Sequence, residues 1–152
     1  MKNQSFIKSL FHALEGIRSS FLTERNLRFH FVIGNLICVF AVFYGLDRAS
    51  WAILLLTVFA VISAEIFNTA LEKAVDTATE EIKLSAKISK DAAAGGVLVL
   101  SIGAVAVGIC LFGDVEKITY TLTEIFTNIK NLVPCILLGI FDLYVLFGIK
   151  KG

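Results

Sequence analysis

Ala49-Ser50-Trp51-Ala52-Ile53-Leu54-Leu55-Leu56-Thr57-Val58-Phe59-Ala60-Val61-Ile62-Ser63-Ala64 carries no charge and passes directly into Glu65-Ile66-Phe67-Asn68-Thr69-Ala70-Leu71-Glu72-Lys73-Ala74-Val75-Asp76. The apolar part has the length and composition of a membrane helix. In the second part Glu65, Asn68, Glu72 and Asp76 are spaced by three, four and four, so a helix puts all of them on one face. At about 100° per residue they fall within a stripe roughly 80° wide. Three carboxyls and an amide therefore line one wall at the edge of an apolar span, where a charge costs several kcal/mol and calls for a proton, a cation or a metal as partner.

Working outward, residues 29–46 and 92–113 form two more neutral stretches of membrane length. The whole chain is 57% apolar with a mean hydropathy of +0.80, above the roughly 45–50% apolar share of a soluble domain. A fourth apolar stretch, 132–149, contains Pro134 and Asp142 and reads as a tilted span, a re-entrant segment or an interfacial helix. The expected fold class is thus an all-α integral membrane protein. It has an N-terminal amphipathic surface helix, three transmembrane helices and a further C-terminal membrane segment.

The surface helix is read from Phe6, Leu10, Ala13, Leu14, Ile17 and Phe21, which recur at steps of three and four opposite Lys8, His12, Glu15 and Arg18. The charges from Lys2 to Arg28 break up this region before any long apolar run, which sets it apart from a cleavable signal. Five Lys and Arg precede the first span and four lysines lie in 73–90, whereas the 47–50 turn has only Arg48. The positive-inside rule then puts the N-terminus and the 73–90 connection in the cytoplasm and 114–131 outside, with Lys150 and Lys151 back inside if the fourth stretch crosses. The chain is expected to be a multi-pass membrane protein whose acidic seam faces the cytoplasm.

Other classes are excluded by composition. A net charge of +1 with scattered basic residues gives no nucleic-acid footprint. Cys38, Cys110 and Cys135 all lie in apolar spans without CxxC spacing and read as small apolar fillers. The absence of a Ser, Gly or Pro-rich linker argues for one compact unit.

The seam has the groups phosphoryl transfer requires. Glu24 and Glu72 are hard oxygen ligands suited to Mg²⁺, which takes one or two carboxylates plus phosphate oxygens. Lys90, followed by Asp91 and the small run Ala92 to Gly96, would open the third span and bind an anion together with exposed N–H groups. Glu65 is the deepest and most desolvated carboxyl, the character wanted in a general base acting on an alcohol. A base, a metal-bound triphosphate and a lysine form a sufficient set, since this reaction is mostly positioning and charge neutralisation. No soluble-kinase phosphate loop is present. His12 and His30 are read as headgroup-facing or packing residues.

The Glu65 to Asp76 string resembles the signature of the prokaryotic diacylglycerol kinase family. Glu15-Gly16-Ile17-Arg18, Thr23 to His30 and Ala86 to Gly96 look like further blocks of that family in the right order. The resemblance implies a homotrimeric membrane kinase whose sites are shared between protomers and which moves the γ-phosphate of ATP, with Mg²⁺, onto a lipid alcohol. It would make Glu65 the catalytic base, Glu24 and Glu72 the metal ligands, and Asn68, Asp76, Lys90 and Asp91 ATP-supporting residues beside them. Of the 79–84 loop only Glu81 carries over to the ATP site. The Thr23 to His30 block is similar to the Gram-positive branch, which points to undecaprenol before diacylglycerol as acceptor. The kinase unit is expected over 1–112, with 113–152 as an extension. A proton- or ion-coupled transporter would also need intramembrane carboxylates, but no inverted repeat is visible and the acids cluster at one side. A scaffold without chemistry would need no lysine beside stacked carboxylates.

Overall fold

The long α-helix that follows from the quoted stretch, Arg48–Ala78, organises the molecule. The computed structural model describes residues 6–78 and 84–149, and within them every regular element is helical. In chain order these are α1 (Phe6–Thr23), α2 (Arg25–Tyr44), α3 (Arg48–Ala78), α4 (Leu84–Leu111), α5 (Val115–Thr127) and α6 (Ile129–Leu143), the last running into a π-helical turn, Tyr144–Gly148. Four of these segments, α2, α3, α4 and Ile129–Gly148, are long and apolar enough to cross a membrane. The all-α membrane architecture expected from the sequence is therefore present.

Helix α1 touches α2 and α3, but Ser20 is its only buried residue. Its apolar stripe, Phe6, Leu10, Leu14 and Ile17, is exposed, as suits a helix lying in the headgroup layer. At the α1–α2 elbow Glu24 has extended φ/ψ and stands as the N-cap of α2. Arg28 is buried and its Nη1 donates to the carbonyls of Phe21 and Leu22 at 3.1 and 2.9 Å. Those are carbonyls of the last turn of α1, which has no following turn to bond them. Phe21 packs edge-on against Phe31 across the same elbow.

A tight turn joins α2 to α3. Gly45 takes the left-handed φ of 69° that a side chain resists, and its N–H closes on the Ala41 carbonyl at 3.1 Å. Asp47 then caps α3: Oδ1 accepts from the N–H groups of Ala49 and Ser50 at 2.8 and 3.0 Å, and Oδ2 from the Ser50 hydroxyl. The Ser50 backbone N–H first, then its hydroxyl and the Ala49 N–H, hold the Asp47 carboxyl below the usual aspartate range. The hairpin is closed by Gly34, where an added Cβ would meet Val58 Cγ1 at 2.8 Å.

Helix α3 is 31 residues long, about 46 Å at 1.5 Å per residue, against a hydrocarbon core of about 30 Å. Counted from Asp47, Glu65 lies about 27 Å along the helix axis and Asp76 about 43 Å. The carboxylate stripe therefore begins at the edge of the hydrocarbon and ends in the headgroup region. Helix α4 lies along α3 with only Val97 fully buried, so nearly all of its apolar surface is open to lipid or to another chain.

The segment 114–131, read from sequence only as an external connection, contains the amphipathic helix α5, capped by the Asp114 carboxylate accepting from the Lys117 N–H at 2.9 Å. It packs on α2, with Lys117 Nζ 4.2 Å from the Tyr44 ring centroid and Phe112 against Phe40 and Tyr44. The fourth apolar stretch is helical from Ile129, with Asn128 as its cap and Pro134 inside. Asp142 is buried and accepts from Asn35 Nδ2 at 3.0 Å, so it makes a helix-bundle contact with α2.

Candidate active site

Glu65 is the only buried carboxylate of the stripe, 4% exposed. Its neighbour comes from α2: His30 Nε2 lies 3.2 Å from Glu65 Oε1, within hydrogen-bond reach. The sequence reading made His30 a headgroup-facing or packing residue; the structure adds a contact with Glu65 to its packing against Phe29. One turn on, Thr69 is buried and donates its hydroxyl back to the Glu65 carbonyl at 3.0 Å. That bond satisfies the Thr69 hydroxyl within α3 itself, leaving it no proton to offer the Glu65 carboxyl.

Asn68 and Glu72 meet directly, Asn68 Nδ2 donating to Glu72 Oε1 at 2.9 Å, while Asn68 Oδ1 is buried with no partner. Both residues are half-buried, as is Glu24 at the elbow. Glu72, about two helical turns further along α3, and Glu24 at the elbow lie within electrostatic range of Glu65. The structure thus brings Glu24, Glu65 and Glu72, from two elements, into one neighbourhood. Farther out, Asp76 on α3 pairs with Lys90 on α4 through Lys90 Nζ and Asp76 Oδ1. Asp91 is exposed beside it. Glu81 lies outside the described residues.

Lys90 differs from the sequence expectation in one respect. The helix is already formed at Leu84, so Lys90 lies well inside α4 and its neighbouring N–H groups are engaged in the helical ladder instead of free for an anion. The Lys90 ammonium remains the cationic feature there. Among the described residues no three His, Cys, Asp or Glu side chains converge as a ready-made metal cage. The donors that are present, the Glu24 and Glu72 carboxylates and the unpartnered Asn68 carbonyl oxygen, are hard oxygens, and Mg²⁺ fills its remaining positions with phosphate oxygens and water.

An apolar groove between α2, α3 and α4, with a volume of about 290 Å³, is lined in part by His30, the neighbour of Glu65. Ile33, Ile37, Leu54, Val58, Val61 and Val105 form much of its wall. Its two hydroxyls are already used: Thr57 donates to the Ile53 carbonyl at 2.8 Å and Ser101 to the Val97 carbonyl at 2.9 Å.

His30 and Arg28 are the residues the sequence did not single out. Hairpin arithmetic carries a signal for the first. His30 precedes Gly45 by fifteen residues and Glu65 follows Asp47 by eighteen, so the two arms of a tight antiparallel hairpin bring them to nearly the same depth, about 22 and 27 Å from the turn.

A helical membrane protein with a carboxylate seam at one end of its bundle and an apolar groove beside it has the makings of an enzyme acting on lipid. Comparison with known proteins assigns the class: the chain belongs to the prokaryotic diacylglycerol kinase family, whose model it matches over residues 11–112. It is accordingly a lipid kinase. It is 36% identical over 107 residues to the undecaprenol kinase of Bacillus subtilis, a match covering 70% of this chain and 87% of that protein. It is 40% identical over 108 residues to a diacylglycerol kinase of Synechocystis, covering 70% of this chain and 62% of that longer protein. A diacylglycerol kinase of Helicobacter pylori is 29% identical over 92 residues, covering 60% of this chain and 72% of that protein. No solved structure matches the chain.

Proposed function

We propose that this kinase transfers the γ-phosphate of ATP to undecaprenol, with Glu65 as the general base. The observation that carries the reading is the buried Glu65 carboxyl, set beside His30 at the polar end of an apolar groove. A long lipid alcohol lying in that groove would bring its hydroxyl to Glu65, while the phosphate donor comes from the opposite, polar side of the seam. Proximity to Glu65 and hard-oxygen chemistry support Glu24 and Glu72 as the residues that would hold Mg²⁺. When bound, the ion would neutralise charge on the transferring phosphoryl group. Asn68, Asp76, Lys90 and Asp91 would bind or support ATP beside them, with Glu81 completing the set.

Groove chemistry favours undecaprenol over diacylglycerol, the second reading. Diacylglycerol carries two ester carbonyls close to its hydroxyl, and burying a carbonyl without a donor costs about 1–3 kcal/mol in proteins. Thr57 and Ser101 have already given their protons to the backbone, whereas a prenyl chain asks for none. The identity to a protein named undecaprenol kinase points the same way.

The lysine-rich 73–90 connection and the basic N-terminal segment support a cytoplasmic site in the bacterial inner membrane. The open apolar face of α4 and the family resemblance support a homotrimer. Residues 1–112 would form the catalytic unit and 113–152 an extension packed on α2.

Glu65→Gln, which keeps size and removes the base, tests the reading. Turnover measured with labelled ATP is expected to fall at least about 100-fold, with the oligomer unchanged by size-exclusion scattering. Turnover at the wild-type rate would overturn the base assignment.

A further inference from the structure

We infer that His30 is a positioning residue for Glu65 and that the rate of phosphoryl transfer depends on it. This rests on Glu65 being the base. Glu65 is buried with two further carboxylates acting on it, Glu72 from its own helix and Glu24 from the α1–α2 elbow. Left alone, such a carboxyl turns toward solvent and away from the apolar groove, because desolvation and like-charge repulsion both oppose its buried ionised form. His30 opposes that movement. Its Nε2 lies 3.2 Å from Glu65 Oε1, and its ring is part of the groove wall.

Three features fix the ring. The backbone of α2 is drawn against α3 one turn further on, where Gly34 leaves no room for a side chain beside Val58. Phe29 packs edge-on to the imidazole with centroids 5.8 Å apart. The residues of α4 that line the groove, Ser101, Ala104, Val105, Val107 and Gly108, carry no charge to compete for the imidazole. With Oε1 facing His30 Nε2, Glu65 Oε2 is the oxygen left to accept the proton of an incoming hydroxyl. An acceptor alcohol sliding along the groove therefore meets a carboxylate already turned toward it.

The test compares full-length wild type, His30→Ala, His30→Gln and Glu65→Gln in mixed micelles, with ATP and undecaprenol varied separately. His30→Ala is expected to lower kcat about 10- to 100-fold, the range seen when an orienting partner of a functional group is removed, with KM for ATP within about twofold of wild type. His30→Gln, which returns a neutral N–H donor at similar reach, is expected to recover a large part of that loss at unchanged melting temperature. Wild-type kcat in His30→Ala would overturn the inference, as would an equal loss in His30→Ala and His30→Gln. If Glu65→Gln itself keeps wild-type turnover, the base assignment fails, and the positioning role fails with it.

Discussion

Gly34 shows how one missing side chain sets the site. An α2–α3 contact this close allows His30, one turn away, to reach Glu65 from the neighbouring helix. Gly34→Val is expected to push the helices apart and destabilise the fold by about 1–3 kcal/mol. It should also lower turnover more than binding of ATP, since the His30–Glu65 contact opens while the polar side of the seam is untouched. Thermal melting and steady-state kinetics on the same preparation check both parts, and unchanged kinetics would show that the hairpin distance does not matter. The residue scale also marks what the sequence could reveal. Glu65, Asn68, Glu72 and Asp76 were legible because their alignment needs only the geometry of a single helix, and the Asn68–Glu72 bond at a spacing of four follows from it. His30 and Arg28 were not, because each acquires its role from a different helix: one from Glu65 of α3, the other from the open carbonyls of α1.

Among the elements, the C-terminal helix is the one the sequence left undecided. Asp142 was compatible with a non-crossing segment or with a bundle contact, and only the partner, Asn35 on α2, distinguishes them. The two residues are separated by 107 positions, so no local pattern could connect them. Asp142 Oδ2 has no partner in its buried setting, so the Asn35 bond is what offsets the desolvation of this carboxyl. Asn35→Leu is therefore expected to loosen the α6 contact by about 0.6–2 kcal/mol. The double variant with Asp142→Leu should recover part of the loss, because no polar group is then left unpaired. A double-variant melting cycle in detergent measures the coupling; additive losses would mean that the Asn35–Asp142 bond contributes nothing. Helix α5 escaped the sequence reading for a different reason. Its charges suited an external connection, and its buried face, Thr121 and Ile125, is short and mixed in polarity. Lys90 was misjudged at the same scale, since the apolar run that suggested a helix start at 90 begins within a helix already present at Leu84.

As a whole molecule, the proposed function keeps two supplies apart. Lipid would enter along the groove between membrane helices, and the phosphate donor from the end where α3 rises beyond the hydrocarbon and Asp76 meets Lys90. Glu65 and His30 would stand where those routes join, and the family match over residues 11–112 covers the helices that carry them. The C-terminal helices pack on α2 through α5, the π-helical turn and the Asn35–Asp142 bond. The measurement that tests this arrangement most directly is phosphate transfer from labelled ATP by the purified protein, offered undecaprenol and diacylglycerol in parallel, with Mg²⁺ and with EDTA. Magnesium-dependent labelling of undecaprenol well above diacylglycerol is the predicted result. Labelling of diacylglycerol in preference, or of neither lipid by a protein that is still folded and oligomeric, would contradict it.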